Sequence, residues 1–103
     1  MLPQAEIYVY ENDDTGQING FVGLTGSYIA GIFVTESAQS KGVGKLLLDH
    51  AKKVRTTISL SVYQKNIRAI HFYQREQFVI ESENIDESTN EKEFIMIWTD
   101  RRH

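Results

Sequence analysis

The chain has 103 residues with one proline and no cysteine, 41% of its residues are apolar, and its formal net charge is -3. A chain of this size builds one hydrophobic core, so we expect a single domain over residues 1–103. The lack of cysteine excludes disulfide scaffolds and thiolate metal sites, and no apolar run reaches the roughly 20 residues of a membrane helix. The sequence therefore predicts a cytoplasmic protein without a metal, for which neither a membrane nor nucleic acid is a partner.

The first third of the chain reads as three strands. Residues 5–11 alternate with period two in β-branched and aromatic types, which predicts a half-buried strand. The turn residues 12–16 lead to a second extended segment at 18–25, so these two strands should form an antiparallel hairpin. Residues 28–34 are almost continuously apolar, which favours a central strand covered on both faces, and Gly31 within it predicts a bulge or a close backbone approach.

The rest of the chain alternates helices and strands. Apolar residues at helical spacing predict an amphipathic helix from Val43 to residue 53 or 55, followed by a strand at 58–63. A strand, a helix and a strand in this order indicate a parallel βαβ unit. A second helix should begin at Asn66 and end at Arg75, and strands should follow at 78–85 and 93–99. The order β-β-β-α-β-α-β-β predicts one α/β domain with a mixed sheet.

The segment 39–45, Gln-Ser-Lys-Gly-Val-Gly-Lys, stands at the entrance of the first helix. Backbone N–H groups at a helix start lack intrahelical partners and lie at the positive end of the helix dipole. Gly42 and Gly44 carry no Cβ that would hold a diphosphate away, while Lys41 and Lys45 add positive charge. The segment therefore predicts an anion site; the alternative is an ordinary glycine turn ahead of a helix.

Two common nucleotide motifs do not fit this segment. A Walker A loop needs glycine at position 39 and serine or threonine at position 46, where the chain has Gln39 and Leu46. A Rossmann fingerprint needs glycine at position 47, where the chain has Leu47. Both readings are excluded.

The pattern that fits, Gln/Arg-x-x-Gly-x-Gly/Ala at the mouth of a helix, resembles the GNAT superfamily of acyl-coenzyme A dependent N-acetyltransferases. The order of elements from Ala5 to Trp98 is also similar to that superfamily from its second strand onward. Segment 62–73, Val-Tyr-Gln-Lys-Asn-Ile-Arg-Ala-Ile-His-Phe-Tyr, resembles its Asn-x-x-Ala-x-x-Phe-Tyr signature. The resemblance implies a GNAT-like acyl-CoA N-acyltransferase fold and a transferase that moves an acetyl group from acetyl-CoA to a primary amine of a protein, a peptide or a small molecule.

The resemblance also implies roles for individual residues. The pantetheine arm would lie between the strands at 28–34 and 59–63, and main-chain amides of the glycine segment would hold the pyrophosphate. Tyr73 would be the general acid, whereas the general base is not identified, with Glu36 or a chain of waters as the candidates. The implied cofactor-binding residues are Phe33, Val34, Gln39, Ser40, Lys41, Gly42, Val43, Gly44, Lys45, Asn66 and Phe72.

Two of these residues have simpler explanations from the sequence. Asn66 is a favoured N-cap residue and could close the second helix in addition to binding a cofactor. Tyr73 shares a helical stripe with Ala69 and Phe72, and an aromatic residue at such spacing usually belongs to a core.

The chain departs from the GNAT pattern in two places. It looks truncated at its N-terminus, without the family's first strand and first two helices, which should leave a sheet face or edge uncovered and invite a homo-oligomer. Gln77 also stands where the family commonly ends a helix with glycine, and a left-handed non-glycine residue costs about 1 kcal/mol. The alternatives to an active enzyme are a catalytically silent acyl-CoA-binding fragment and an interaction domain.

Overall fold

Six strands, two α-helices and one 3-10 helix follow one another over residues 5–100, the part of the chain that the computed structural model describes. The predicted order is confirmed, and the 3-10 helix is an addition within the polar stretch before the first α-helix. Of these residues, none belongs to a helix long and apolar enough to span a bilayer. The elements are β1 (Ala5–Glu11), β2 (Ile18–Thr25), β3 (Tyr28–Val34), the 3-10 helix (Glu36–Lys41), α1 (Val43–Val54), β4 (Thr57–Tyr63), α2 (Ile67–Arg75), β5 (Val79–Asp86) and β6 (Glu91–Thr99).

The strands form one mixed sheet in the order β1-β2-β3-β4-β6-β5. Neighbouring strands are antiparallel except β3 and β4, which are parallel, so the predicted hairpin and βαβ unit are both confirmed. The parallel pair meets at one register position, where Tyr28 lies opposite Ser59 and the amide of Ser59 donates to the carbonyl of Ser27 over 2.8 Å. Beyond that position no pairing joins β3 to β4 in residues 5–100, so the sheet is parted at its centre.

β3 contains a bulge at Ala30, next to Gly31, the residue from which a bulge was predicted. Leu24 pairs with Ile29 and Gly23 pairs with Gly31, so Ala30 has no partner on β2. Such an extra residue shifts the alternation of side chains by one position and bends the strand. The bulge thus lies in the part of β3 that faces the gap to β4.

Both α-helices pack on the same face of the sheet. Side chains from α1 and α2 enter one buried cluster, and Lys45 and Lys52 of α1 both donate to Glu76 just after α2. A Cβ at Gly20 would lie 2.8 Å from the carbonyl oxygen of Phe33 and 3.1 Å from a methyl of Leu47, so glycine lets α1 approach the sheet. The largest fully buried side chains are Phe78, Leu24, Leu48, Ile58, Leu60, Met96 and Val22.

The opposite face of the sheet is open over residues 5–100. The expectation that β3 is covered on both faces is wrong, because both helices pack on one face and leave Phe33 of β3 54% exposed on the other. On β1 the tyrosines, Tyr8 and Tyr10, pack against the core, whereas Ile7 and Val9 are exposed. The expected uncovered sheet face is therefore observed, and a homo-oligomer built on it stays a prediction. The exposed apolar residues of this face include Ile7, Val9, Phe21, Tyr28 and Phe33.

Gln77, the second residue after α2, has the left-handed conformation that the sequence predicted. Gln77 has φ 74°, and the amides of Gln77 and Phe78 donate to the carbonyls of Gln74 and Tyr73. We expect Gln77→Gly to raise the free energy of unfolding by about 0.5 to 1 kcal/mol, because glycine adopts positive φ without the Cβ penalty.

Urea unfolding of the wild type and the variant measures this change. Gln74→Gly, an exposed position inside α2, is the matched control and should lower the free energy of unfolding by about 1 kcal/mol. A Gln77→Gly variant that is destabilised as much as the control would contradict the argument.

Candidate functional site

The entrance of α1 presents backbone N–H groups to one end of the sheet. Gly42 has φ 78° and joins the 3-10 helix to α1. The first bond of the α1 ladder runs from the amide of Leu46 to the carbonyl of Gly42 over 3.1 Å, so the amides at 43–45 precede that ladder. Gly44 packs closely: a Cβ there would lie 3.2 Å from Cζ of Phe72. A Cβ at Gly42, in contrast, would meet nothing within 4 Å, so the donors of the local backbone have open space for an anion beside Gly42.

A cavity of about 350 Å³ lies in front of these amides, between the end of β3 and α2. It brings together most of the residues that the two sequence motifs pointed to, although they come from four separate elements and their connections. The predicted residues that line it are Val34, Gln39, Gly42, Gly44, Lys45, Asn66, Phe72 and Tyr73.

Three other predicted residues, Phe33, Lys41 and Val43, do not line this cavity with their side chains. Phe33 lies on the open face of the sheet, its ring centroid 6.0 Å from that of Phe21. Val43 is buried in the core, and Lys41 is exposed outside the cavity. The side chain of Ser40 lies outside what the structure describes. Any role for Phe33, Lys41 and Val43 in this cavity would depend on their backbone groups.

Two arginines that the sequence analysis did not select line the same cavity. Arg68 and Arg75 stand on α2 with Phe72 between them, and neither arginine has a carboxylate partner within residues 5–100. The spacing i, i+4, i+7 places these three residues on one helix face, which is the signal that could have found them. Ile32 and Ala69 are the other lining residues that were missed.

Lys45 is already paired with carboxylates. Its Nζ lies 3.2 Å from Oε1 of Glu76 and 3.5 Å from Oδ2 of Asp49. The hydrogen bond and charge of Glu76, with a smaller contribution from Asp49, raise the pKa of Lys45. The positive charge that stands free at the cavity therefore comes chiefly from Arg68 and Arg75 rather than from the predicted lysine.

A second cavity, of about 310 Å³, occupies the gap between β3 and β4. It shares with the first cavity the residues Ile32, Asn66, Ala69 and Tyr73. The two cavities therefore adjoin each other at these residues, one at the entrance of α1 and the other between the parted strands. We call the two cavities together the β3–β4 passage.

Tyr73 lies where the two cavities meet. Its ring is buried, with centroids 5.4 Å from that of Phe72 and 5.8 Å from that of Phe78, and burial raises the pKa of its phenol. No protein group within residues 5–100 accepts a hydrogen bond from its hydroxyl, yet that oxygen is not among the fully buried atoms without a partner. The small exposed part of Tyr73 thus includes its hydroxyl, a protonated donor aimed at the passage.

Asn66 combines a structural position with a position in the site. Its Oδ1 accepts the amide of Ala69 over 3.2 Å, which confirms the N-cap of α2. The same side chain lines both cavities, and its NH₂ group has no partner in the described part of the chain. The amide can therefore cap the helix with its oxygen and donate into the passage with its nitrogen.

Other surface features do not gather the predicted residues. Glu36, considered for the general base, is exposed on the 3-10 helix and lines neither cavity of the passage. A larger depression of about 850 Å³ at the far end of α1 mixes Lys52, Arg55 and Asp49 with Trp98 and contains none of the predicted site residues.

Comparisons with known proteins point to one family. Residues 3–80 match the protein family described as acetyltransferase (GNAT) domain. Peptidyl-lysine N-acetyltransferase YiaC of Escherichia coli (strain K12) is 36% identical over 98 residues, which cover 94% of this chain and 66% of that protein.

Solved structures give the same picture for the fold. The solution structure of apo YjaB from Escherichia coli has a TM-score of 0.82 at 22% identity, and the match covers 91% of this chain and 65% of that one. A putative streptothricin acetyltransferase from Bacillus anthracis in complex with acetyl coenzyme A has a TM-score of 0.82 at 26% identity, over 94% of this chain and 63% of that one. The chain thus spans about two thirds or less of the length of these proteins.

Proposed function

Because the chain belongs to the GNAT acetyltransferase family, we propose that it transfers an acetyl group from acetyl-CoA to a primary amine, with lysine side chains of proteins or peptides as the acceptors. The observation that carries the proposal is the pair of cavities that meet at Tyr73. One cavity lies at the entrance of α1 and the other between the parted strands. Donor and acceptor can therefore reach the same hydroxyl from the two cavities.

The first cavity fits the diphosphate of coenzyme A. The amides at 43–45 have no backbone acceptor within residues 5–100 and supply hydrogen bonds at the positive end of α1, and the space around Gly42, where a Cβ would meet nothing within 4 Å, leaves room for phosphate oxygens. Arg68 and Arg75 add planar cations that suit phosphate geometry. The chain offers both backbone and side-chain donors at this point.

The parted strands fit the thiol-bearing arm. Beyond Tyr28, β3 has no partner on its β4 side within residues 5–100, so that side resembles the edge of a sheet. An extended arm with amide groups can bond along such an edge in place of a strand. A backbone amide near Val34 is then positioned to bond the thioester carbonyl and stabilise negative charge on its oxygen. Asn66 can donate from the other wall of the gap.

The proposed chemistry is direct transfer. Acetyl-CoA supplies an activated acetyl group as a thioester. The neutral nitrogen of the acceptor forms a bond to the acetyl carbon while the carbon–sulfur bond breaks, and the nitrogen then releases one proton to water, from which Tyr73 regains the proton that it gives to the sulfur. Tyr73 donates its phenolic proton to the departing sulfur, and its raised pKa keeps that proton in place at neutral pH.

The proposal of a lysine acceptor is supported by relatives rather than by the fold. YiaC is named a peptidyl-lysine N-acetyltransferase, and this chain has a net charge of -3, which attracts cationic amines at long range. Salt at cellular concentration weakens that attraction, so local contacts must add to it.

Titration calorimetry and a thiol-release assay test the proposal together. We expect the chain to bind acetyl-CoA and to release free thiol when a lysine peptide with a blocked N-terminus is added. A peptide with a free α-amine but no lysine, and spermidine, are the comparison acceptors. No binding heat with acetyl-CoA would leave only an interaction domain, whereas binding without thiol release would indicate a silent acyl-CoA-binding fragment.

A further inference from the structure

We propose that Glu93 binds the ammonium group of the acceptor in the cavity between β3 and β4 and thereby selects cationic amines. This inference rests on the proposed function and adds to it the residue that recognises the acceptor.

Glu93 is the only acidic residue that lines the cavity between β3 and β4 in the described part of the chain. It stands on β6 opposite Tyr63, at the end of β4 where the two parted strands lie far from their single pairing position. Its side chain is half-buried, and it shares the cavity with Tyr73. A partly desolvated carboxylate attracts a cation more strongly than an exposed one does.

The carboxylate of Glu93 keeps one oxygen free. Its Oε1 accepts Nδ2 of Asn84 over 3.0 Å, and its Oε2 has no hydrogen-bond partner within residues 5–100. A neutral amide donor fixes the orientation of the group without neutralising its charge. The side chain is thus held in place, and it remains able to accept a charged N–H donor.

The neighbouring acids are committed to other partners. Asp86 accepts the Tyr63 hydroxyl over 2.7 Å and the Ser88 hydroxyl over 2.7 Å. Glu91 pairs with Lys65 over 3.1 Å, and Glu83 accepts the side chain of Gln64 over 2.8 Å. None of these three carboxylates lines the cavity. Glu93 therefore differs from these three neighbours in its position on the cavity, and from Glu91 also in having no cationic partner within residues 5–100.

The opposite rim suits an aliphatic stem. The hydroxyl of Tyr28 donates to Oγ of Ser61 over 3.0 Å and links the two strands near the point where they part. The Tyr28 side chain is 41% exposed and belongs to the open apolar face. An acceptor with a flexible methylene chain can lie along this aromatic rim and place its ammonium group at Glu93, as a lysine side chain would.

Steady-state kinetics of Glu93→Gln tests the assignment. We expect the KM for a lysine peptide to rise about tenfold with a smaller change in kcat, because Glu93 holds the acceptor in its protonated form, which gives one proton to water before its neutral nitrogen reacts. The affinity for acetyl-CoA, measured by calorimetry, should not change. Glu91→Gln is the matched control, on the same face of the same strand but outside the cavity, and should keep the wild-type KM.

A cation that cannot be acetylated separates this inference from the proposed function. In an NMR titration, butyltrimethylammonium should shift the amide signals of residues 28, 61 and 93 of the wild type and of Glu91→Gln, but not of Glu93→Gln. This readout does not depend on turnover. Loss of turnover with retained shifts would refute the proposed function alone. Equal KM values in wild type and Glu93→Gln, or no shifts in the wild type, would overturn the role of Glu93.

Discussion

Tyr73→Phe is expected to lower kcat for acetyl transfer by about 100-fold, at the lower end of what a positioned general acid contributes. The change removes the one hydroxyl at the junction of the two cavities and leaves the buried ring in place. Affinity for acetyl-CoA should stay within about twofold of the wild type, since the amides of α1 are untouched. Thiol release at saturating acceptor measures kcat, and calorimetry measures the affinity.

Tyr10→Phe provides the matched control for Tyr73→Phe. Tyr10 packs against the core from β1 and lines neither cavity of the passage. Its variant should retain the kcat of the wild type. If Tyr73→Phe also retained that kcat, the hydroxyl would have only a packing role, and the proton would have to reach the sulfur from solvent.

Gly44→Val is expected to weaken the binding of acetyl-CoA by about 100-fold, or about 2.7 kcal/mol. Its Cβ would stand 3.2 Å from Phe72 and 3.7 Å from a methyl of Val34, both of which line the cavity. The branched side chain would therefore push these side chains into the cavity in front of the amides at 43–45. Calorimetric titration with acetyl-CoA measures the loss, and circular dichroism of the unliganded variant checks that α1 still forms.

Lys41→Ala tests whether the charge of a lysine side chain in the same segment contributes to acetyl-CoA binding, apart from the steric effect of Gly44→Val. Lys41 is exposed and its side chain does not line the cavity, so its variant should bind acetyl-CoA within about threefold of the wild type. A loss at Lys41 as large as that at Gly44 would mean that side-chain charge, rather than the backbone, holds the diphosphate.

Local patterns predicted the elements well because each element has its own period. Alternation placed β1, an extended pattern placed β2 and an apolar run placed β3 at the bounds that the structure gives them, and helical spacing located α1 and α2. The turn glycines and the N-cap at Asn66 were also readable, since each depends on the conformation of a few neighbouring residues.

The site was predicted less completely because it depends on how separate elements pack. Gln39, Gly44 and Asn66 were found through motifs, whereas Arg68 and Arg75 face the cavity only because α2 lies beside the entrance of α1. The sequence of α2 alone does not predict which other element of the fold its polar face will lie beside.

The error at β3 has a similar origin. A continuous apolar run reports that both sides of a strand are hydrophobic, but coverage depends on where the helices pack. Both helices pack on one face of the sheet, and Phe33 lies exposed on the other face.

The single pairing of Tyr28 with Ser59 divides the sheet into two three-stranded leaves that meet at one corner. The inner strand of each half, β3 or β4, has backbone groups that form no hydrogen bond to the other half beyond that position within residues 5–100. An extended ligand that lies between β3 and β4 would act as a seventh strand. Its binding would therefore also raise the free energy of unfolding of the sheet. We therefore expect the protein to be more resistant to unfolding with such a ligand bound than without it.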